Sequence, residues 1–253
     1  MFCAGAPWNK GRASGQRPGV PTIWDGRGVE NRLVHDDRMS TPAFGDAAAT
    51  WNRRFDTPAY LFGTAPNAWL REVAGHLPPA AQLLCVADGE GRNSVWLAAQ
   101  GHRVQAFDIA ELGVAKARRL AAEAGVQVDF GVADVDAWDW PQAAFDAVVA
   151  VFVQFADPAQ RGRLFERMAA ALKPGGVLLL QGYTPRQLEY RTGGPPFESH
   201  LYTEAMLREA FAALRIVELK AYEAVLDEGT GHSGRSALIG LVARRPGPGS
   251  PPA

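Results

Sequence analysis

The chain has 253 residues, 47% of them hydrophobic and 21% charged, with a formal net charge of −1. That length suits one large domain, and the near-neutral balance lacks the clustered basic surplus of a nucleic-acid binder. No stretch approaches the roughly 18 to 20 uninterrupted apolar residues of a membrane span. Two cysteines, Cys3 and Cys85, make neither a disulfide framework nor a zinc site. The first 30 residues hold no secretory apolar core, because Lys10, Arg12 and Arg17 interrupt them. The cytoplasm is the default compartment.

Residues 1–38 scatter Pro7, Pro18, Pro21 and six glycines without a period of 2 or 3.6, which predicts a disordered leader. Met39 reads as the true start and 1–38 as a mis-called one, the alternative being a genuine tail. Residues 39–243 read as one domain and the Pro/Gly/Ser-rich 244–253 as a flexible tail. Within the domain, Ala65–His76 reads as a helix stopped by Pro78-Pro79. Gln82–Ala87 is a buried strand running into Asp88-Gly89-Glu90-Gly91, followed by a helix over Asn93–Gln100. Arg103–Phe107 is a strand ended by Asp108, Glu111–Ala124 a helix and Val126–Gly131 a strand. Phe145–Val153 is the most apolar run and reads as the central strand. Asp157-Pro158 opens a helix to Leu172, and Lys173-Pro174-Gly175-Gly176 turns into the strand Val177–Leu180. After an irregular stretch, 183–202, come a helix near Thr203–Ala213 and two strands, Arg215–Lys220 and Ala237–Ala243, joined by a turn-rich Glu223–Arg235. This alternation predicts an α/β, doubly wound, mostly parallel seven-stranded sheet with an antiparallel strand at one edge.

The chemistry-bearing residues follow the strands. Ala87, Asp88, Gly89, Gly91 and Asn93 form a glycine turn where backbone can approach a ligand ahead of a helix N-terminus. Asp108, about 20 residues on and followed by Ile109, is placed to accept both hydroxyls of a ribose. Asp134, followed by Val135, is placed to accept an adenine amino group. Each has a plainer reading as a strand-ending glycine, helix cap or turn acid. Together they fit a dinucleotide or S-adenosylmethionine.

The incomplete G-x-G-x-x-G, the Lys173-Pro174-Gly175-Gly176 turn and the closing strand pair resemble class I S-adenosylmethionine-dependent methyltransferases, over residues of about 45 to 243. The stretch Gly89–Ala98 with Gln100–Val104 is similar to the bacterial tellurite-resistance-type small-molecule methyltransferases. So are Tyr60-Leu61-Phe62-Gly63 with Pro66-Asn67, Leu188–Pro195, and Glu228-Gly229 with His232-Ser233-Gly234. The resemblance implies S-adenosylmethionine as cofactor and a small, soft acceptor (S, Se, Te or halide) methylated by proximity. Many members carry an acid at the position of Cys85 and a glycine at that of Ala87. Here the acid is displaced to Asp88, expected to face the aminopropyl ammonium.

Tyr60, Gln154 and His232 are the candidate catalytic residues. Tyr60, with Trp51 and Phe62, forms an aromatic lid, Gln154 ends the central strand, and His232 is a base or a loop anchor. Tyr183 ends the neighbouring strand, and Arg186 and Arg191 are candidates for steering an anion. No metal site is expected. Val151-Phe152-Val153-Gln154-Phe155 lacks the Pro-Pro pattern of amino-group methylation on DNA and protein. Small-molecule partners, no nucleic acid, no membrane, and a monomer or weak dimer are therefore expected. The alternatives are a non-catalytic S-adenosylmethionine sensor and a nicotinamide-dependent oxidoreductase.

Overall fold

A computed structural model describes residues 47–247 and Gly249. The leader expected over 1–38 and the end of the expected tail lie outside the described residues. The strands are β1 (Gln82–Val86), β2 (Arg103–Asp108), β3 (Asp129–Val132), β4 (Phe145–Val151), β5 (Leu172–Tyr183), β6 (Arg215–Glu228) and β7 (His232–Arg244). The helices are α1 (Ala47–Phe55), α2 (Ala68–Val73), α3 (Arg92–Ala99), α4 (Glu111–Glu123), α5 (Pro158–Ala171), α6 (Gln187–Tyr190) and α7 (Glu204–Ala210). None of these helices is long and apolar enough to cross a membrane.

The seven strands lie in the order β3-β2-β1-β4-β5-β7-β6. β1 to β5 pair in parallel, and β7 runs antiparallel to both β5 and β6. The reversed strand thus lies one place in from the edge, with β6 outermost. Because both faces of β1 are covered, its sequence is an apolar run rather than an alternation. Leu84 and Val86 pack with Phe165 and Met168 of α5 and Leu207 of α7, whereas Leu83 and Cys85 pack with Leu70 of α2 and Leu97 of α3. The chain moves outward from β1 to β3, then returns to start β4 on the other side. That reversal opens a crevice beyond the carboxyl ends of β1 and β4, where such sheets hold ligands.

Local chemistry sets the element ends. Asp157 accepts from the Gln160 amide at 2.8 Å and Pro158 takes the first turn of α5. Asn67 caps α2 and Thr203 caps α7. The expected helix over 65–76 is shorter, closing as a 3₁₀ turn at Ala74–His76. Helix α1 is an element that the sequence reading did not place, although three alanines open it.

The largest departure is the final hairpin. Its ladder continues to the pair Glu228↔His232, so Glu223–Arg235 is mostly strand around a Gly229–Gly231 turn. β6 is an edge strand with one solvated face, and its Glu223 and Asp227 read as turn formers when they are outward positions. Arg244 and Arg245, which the expected tail included, are held by the sheet. The Arg245 amide bonds to the Gly176 carbonyl at 2.9 Å, and its guanidinium bonds to the Ala170 and Leu172 carbonyls.

Candidate functional site

The turn after β1 passes through three left-handed residues, Ala87 (φ 49°), Gly89 (φ 61°) and Gly91 (φ 89°). A non-glycine residue in that region is uncommon, and Ala87 is one held at the strand end. The turn is locked to β2 by the Asp108 carboxylate. One oxygen accepts from the Gly89 amide and the other from the Ala110 amide, each at 2.9 Å. The Ile109 amide adds to these two, and a carboxylate's roughly four acceptor sites still leave room for a ligand's hydroxyl. Burial pushes Asp108 up to about 6 against the pull of these amides. Asp88 is also buried. Desolvation raises it to about 7, although the Ser94 hydroxyl donates to its Oδ2 and opposes the rise. Asp134 accepts from the Asp136 amide at 2.7 Å through Oδ1.

These groups open into one cavity of about 420 Å³. Such a volume lies within the range of small-molecule sites, ~300–1,000 Å³. Ala87, Asp88, Gly89, Asn93, Asp108, Ile109, Asp134, Val135, Gln154 and His232 all line it. Gly91 and Tyr60 are not among its lining residues. A Cβ on Gly91 would come within 2.6 Å of the Ala117 Cβ, so this glycine serves the close approach of α3 to α4. Tyr60 donates its hydroxyl to the Lys116 carbonyl at 3.2 Å, on the far side of its segment. Gln154 reaches the cavity, but its amide is spent within the protein. It donates to the Tyr183 and His200 carbonyls and accepts from the Tyr183 amide, so it acts as a strap between strand ends. Arg186 pairs with Glu223 at 2.5 Å and, like Arg191, does not line the cavity.

The outer wall is aromatic. The Phe55 ring from α1 sits against the turn and α4, 3.4 Å from where a Cβ on Gly89 would lie and 3.0 Å from one on Gly113. Trp51 stacks on Phe55, and the Arg54 guanidinium lies 4.4 Å from the Trp51 ring centre. Deeper in, His232 is surrounded by Phe62 at 4.5 Å, Phe152 at 4.3 Å and Tyr183 at 5.7 Å between ring centres. Phe152 adopts φ 58°, which bends the chain after β4. The sequence reading singles out neither Phe55 nor Phe152: Phe55 lies in no motif, and Phe152 reads as one more apolar residue of the run Val151–Phe155.

A buried charge web supports this wall. Glu90 pairs with Lys116 at 2.7 Å and accepts from the Leu61 amide. Arg92 pairs with Glu228 at 2.7 Å and donates to the Phe62 carbonyl. The other Glu228 oxygen accepts from the Asn67 amide group, which also donates to Gln181. The Asn67 backbone amide donates to Asn93. Gly231 closes the circuit by donating to the Leu61 carbonyl. Thus the blocks around Tyr60–Gly63, Gly89–Ala98 and Glu228–His232, far apart in sequence, meet in one network.

Residues 83–176 match a family model described as a methyltransferase domain. Over those residues the chain is similar to a methyltransferase domain. It is 38% identical over 115 residues to the ubiquinone biosynthesis O-methyltransferase of Xanthomonas axonopodis pv. citri (strain 306), covering 44% of this chain and 47% of that protein. The chain thus spans about half the length of that relative. The crystal structure of TehB from Haemophilus influenzae superposes with a TM-score of 0.58 at 19% identity, over 78% of this chain and 66% of that one. Magnesium protoporphyrin IX methyltransferase from Synechocystis, solved with bound S-adenosylhomocysteine, gives 0.53 at 20% identity, over 70% and 78%. These two likenesses concern the fold. S-adenosylmethionine is the cofactor that a class I methyltransferase domain takes, and the residues here fit it. The buried carboxylates Asp88 and Asp108 suit an ammonium and a diol, and the cavity walls are predominantly apolar.

Proposed function

We propose that this protein transfers a methyl group from S-adenosylmethionine to a small acceptor by in-line displacement. The observation that carries the reading is the single cavity that joins the turn after β1 to the ends of β2, β3 and β4 and to an aromatic outer wall. Asp108 would take the ribose hydroxyls, Asp134 the adenine amino group and Asp88 the ammonium, with Ile109 and Val135 flanking the adenine. Ala87, Gly89 and Asn93 hold the turn that receives the remainder. Bound there, the cofactor supplies an electrophilic methyl on a sulfonium. The chain's own part is to exclude water through Phe55 and Phe62 and to hold the acceptor at near-attack distance. Soft nucleophiles (S, Se, Te or halide) need no strong base for this, which supports the proximity reading.

A second acceptor class, a hydroxyl, is favoured by the histidine in the aromatic wall and by the O-methyltransferase name of the curated relative. In either case the acceptor is a small molecule rather than nucleic acid or membrane. The chain acts in the cytoplasm as a monomer or weak dimer. The test is incubation of the full chain with methyl-labelled S-adenosylmethionine and a panel of thiols, sulfide, selenite, tellurite, halides and phenols. Methylated product and S-adenosylhomocysteine are expected to accumulate in equal amounts on at least one acceptor. Tight binding with no turnover on any acceptor would support a sensor instead. Preferential binding of a nicotinamide dinucleotide would support an oxidoreductase.

A further inference from the structure

The wall around His232 contains a polar atom that the protein leaves without a partner. Tyr183 and His232 are 1% and 7% exposed; the Tyr183 hydroxyl makes no hydrogen bond, whereas His232 turns its Nδ1 to Glu228. A buried polar atom without a partner is destabilising, so an orphaned hydroxyl in the wall of a ligand cavity calls for an explanation. Its surroundings supply one. Gly193 borders the same cavity and packs closely against it: a Cβ there would lie 3.1 Å from the Gly231 carbonyl oxygen, 3.3 Å from the Tyr183 hydroxyl and 3.7 Å from His232 Cδ2. The Tyr183 hydroxyl and the His232 imidazole stand side by side in the cavity wall, and the part of the cavity that they face, between the Phe62 and Phe152 rings, forms a niche.

The charge around the niche is also arranged. His232 Nδ1 faces Glu228 Oε2 at 3.7 Å, and Arg92 bonds to that same oxygen at 2.7 Å. The groups facing His232 are therefore Glu228 from β6, Arg92 from α3, Arg54 from α1 and Tyr183 from β5. Burial, with help from the two arginines, lowers the imidazole from its ordinary value, and Glu228 opposes the drop. The ring is thus neutral at physiological pH. It has an anion behind it to stabilise the charged form once a proton arrives.

On the methyl-transfer reading above, we infer that the niche takes an uncharged aromatic acceptor bearing one weakly acidic O–H or S–H, with His232 as its general base and Tyr183 as its hydrogen-bonding anchor. The acceptor's X–H bond breaks towards His232 Nε2, the nitrogen not turned to Glu228. An X–C bond forms while the sulfonium S–C bond breaks, yielding a neutral methyl ether or thioether and S-adenosylhomocysteine. The proton stays on the imidazole, paired with Glu228, until solvent removes it. Hydrated inorganic anions such as halide or tellurite are poorly matched to three aromatic rings and a nearby carboxylate.

The test uses the full chain with phenol, thiophenol, iodide and tellurite as acceptors, comparing wild type with His232→Asn and Tyr183→Phe. Phenol turnover in the wild type is expected to rise with pH as the imidazole loses its proton and then to level off. His232→Asn should lose about 10²-fold or more on phenol, the range of a positioned base, and should lose that pH step. Its loss on the largely ionised thiophenol should be at least tenfold smaller. Tyr183→Phe should raise KM for phenol with little change in kcat. Binding of 4-nitrophenol, followed by its absorbance without turnover, should show ionisation at lower pH in the wild type than in His232→Asn. Both variants should bind S-adenosylmethionine as the wild type does, which separates these effects from misfolding. Equal phenol turnover in His232→Asn and wild type, or turnover confined to iodide and tellurite, overturns the assignment while methyl transfer stands. A wild-type chain that does not bind S-adenosylmethionine overturns both.

Discussion

Asp88 and Asp108 are two carboxyls that burial holds at about 7 and about 6, against about 3.9 in an unfolded chain. Between those values the folded state keeps protons that the unfolded state has released. Stability from this pair therefore falls as pH rises from about 4 to about 7. A ligand ammonium beside Asp88 favours the ionised form and expels its proton. Calorimetry of S-adenosylmethionine binding at pH 6, in buffers of different ionisation enthalpy, should show proton release approaching one per site. The release should vanish at pH 8.5 and in Asp88→Asn. Buffer-independent heats at pH 6 would rule the assignment out. Asp108→Asn should weaken cofactor binding by about 10- to 100-fold, the equivalent of about 1.5–3 kcal/mol for hydrogen bonds to a charged group. The sequence made these acids legible because each follows a strand at the point where the sheet presents its ligand face. It could not show which way a ring or a missing Cβ points. Tyr60 and Gly91 belong to the same motifs, yet one turns to Lys116 and the other makes room for Ala117.

At the scale of elements, Gly91 and Gly101 separate two effects. Both have φ +89°, but a Cβ on Gly91 would meet Ala117 at 2.6 Å whereas one on Gly101 meets nothing within 4 Å. Gly101→Ala should cost about 1–2 kcal/mol for backbone strain alone. Gly91→Ala should cost about 1–3 kcal/mol more for the displaced helix, measured as a lower urea midpoint at unchanged slope. The charge web makes a second comparison. Glu228 tends to rise on burial, yet His232 and Arg92 hold it at about 2, so its contribution is present above about pH 4.5 and lost as pH falls towards 2. Glu228→Gln leaves Arg92 buried beside a neutral partner and should cost about 3–5 kcal/mol in the same unfolding experiment. The helices and parallel strands were legible because their periods and caps are local. The length of the final hairpin was not, because an edge strand's outward charges resemble a turn until its partner is known.

For the whole molecule, the sheet order places the cavity where the chain reverses direction, and the web ties that cavity to both α2 and the last hairpin. Cofactor binding at the turn after β1 should therefore slow amide exchange at Leu61 and Gly231, which the web joins to the turn, more than at the distant edge residues Val126–Asp129. Equal protection at both places would show that the turn is uncoupled from the web. Fold class could be read from strand–helix alternation, while the union of three distant blocks required knowing that β7 lies between β5 and β6. The pairing of Arg92 with Glu228 also bears on biosynthesis. The segment that carries the domain signature, residues 83–176, contains the cation, and its counter-charge leaves the ribosome only after a further stretch of chain. A nascent chain released early, or halted before the last hairpin, holds the strands of the cofactor cavity with an unpaired guanidinium at its rim. Completion of the final hairpin, rather than collapse of the parallel core, is then the event that turns a folded scaffold into a closed site.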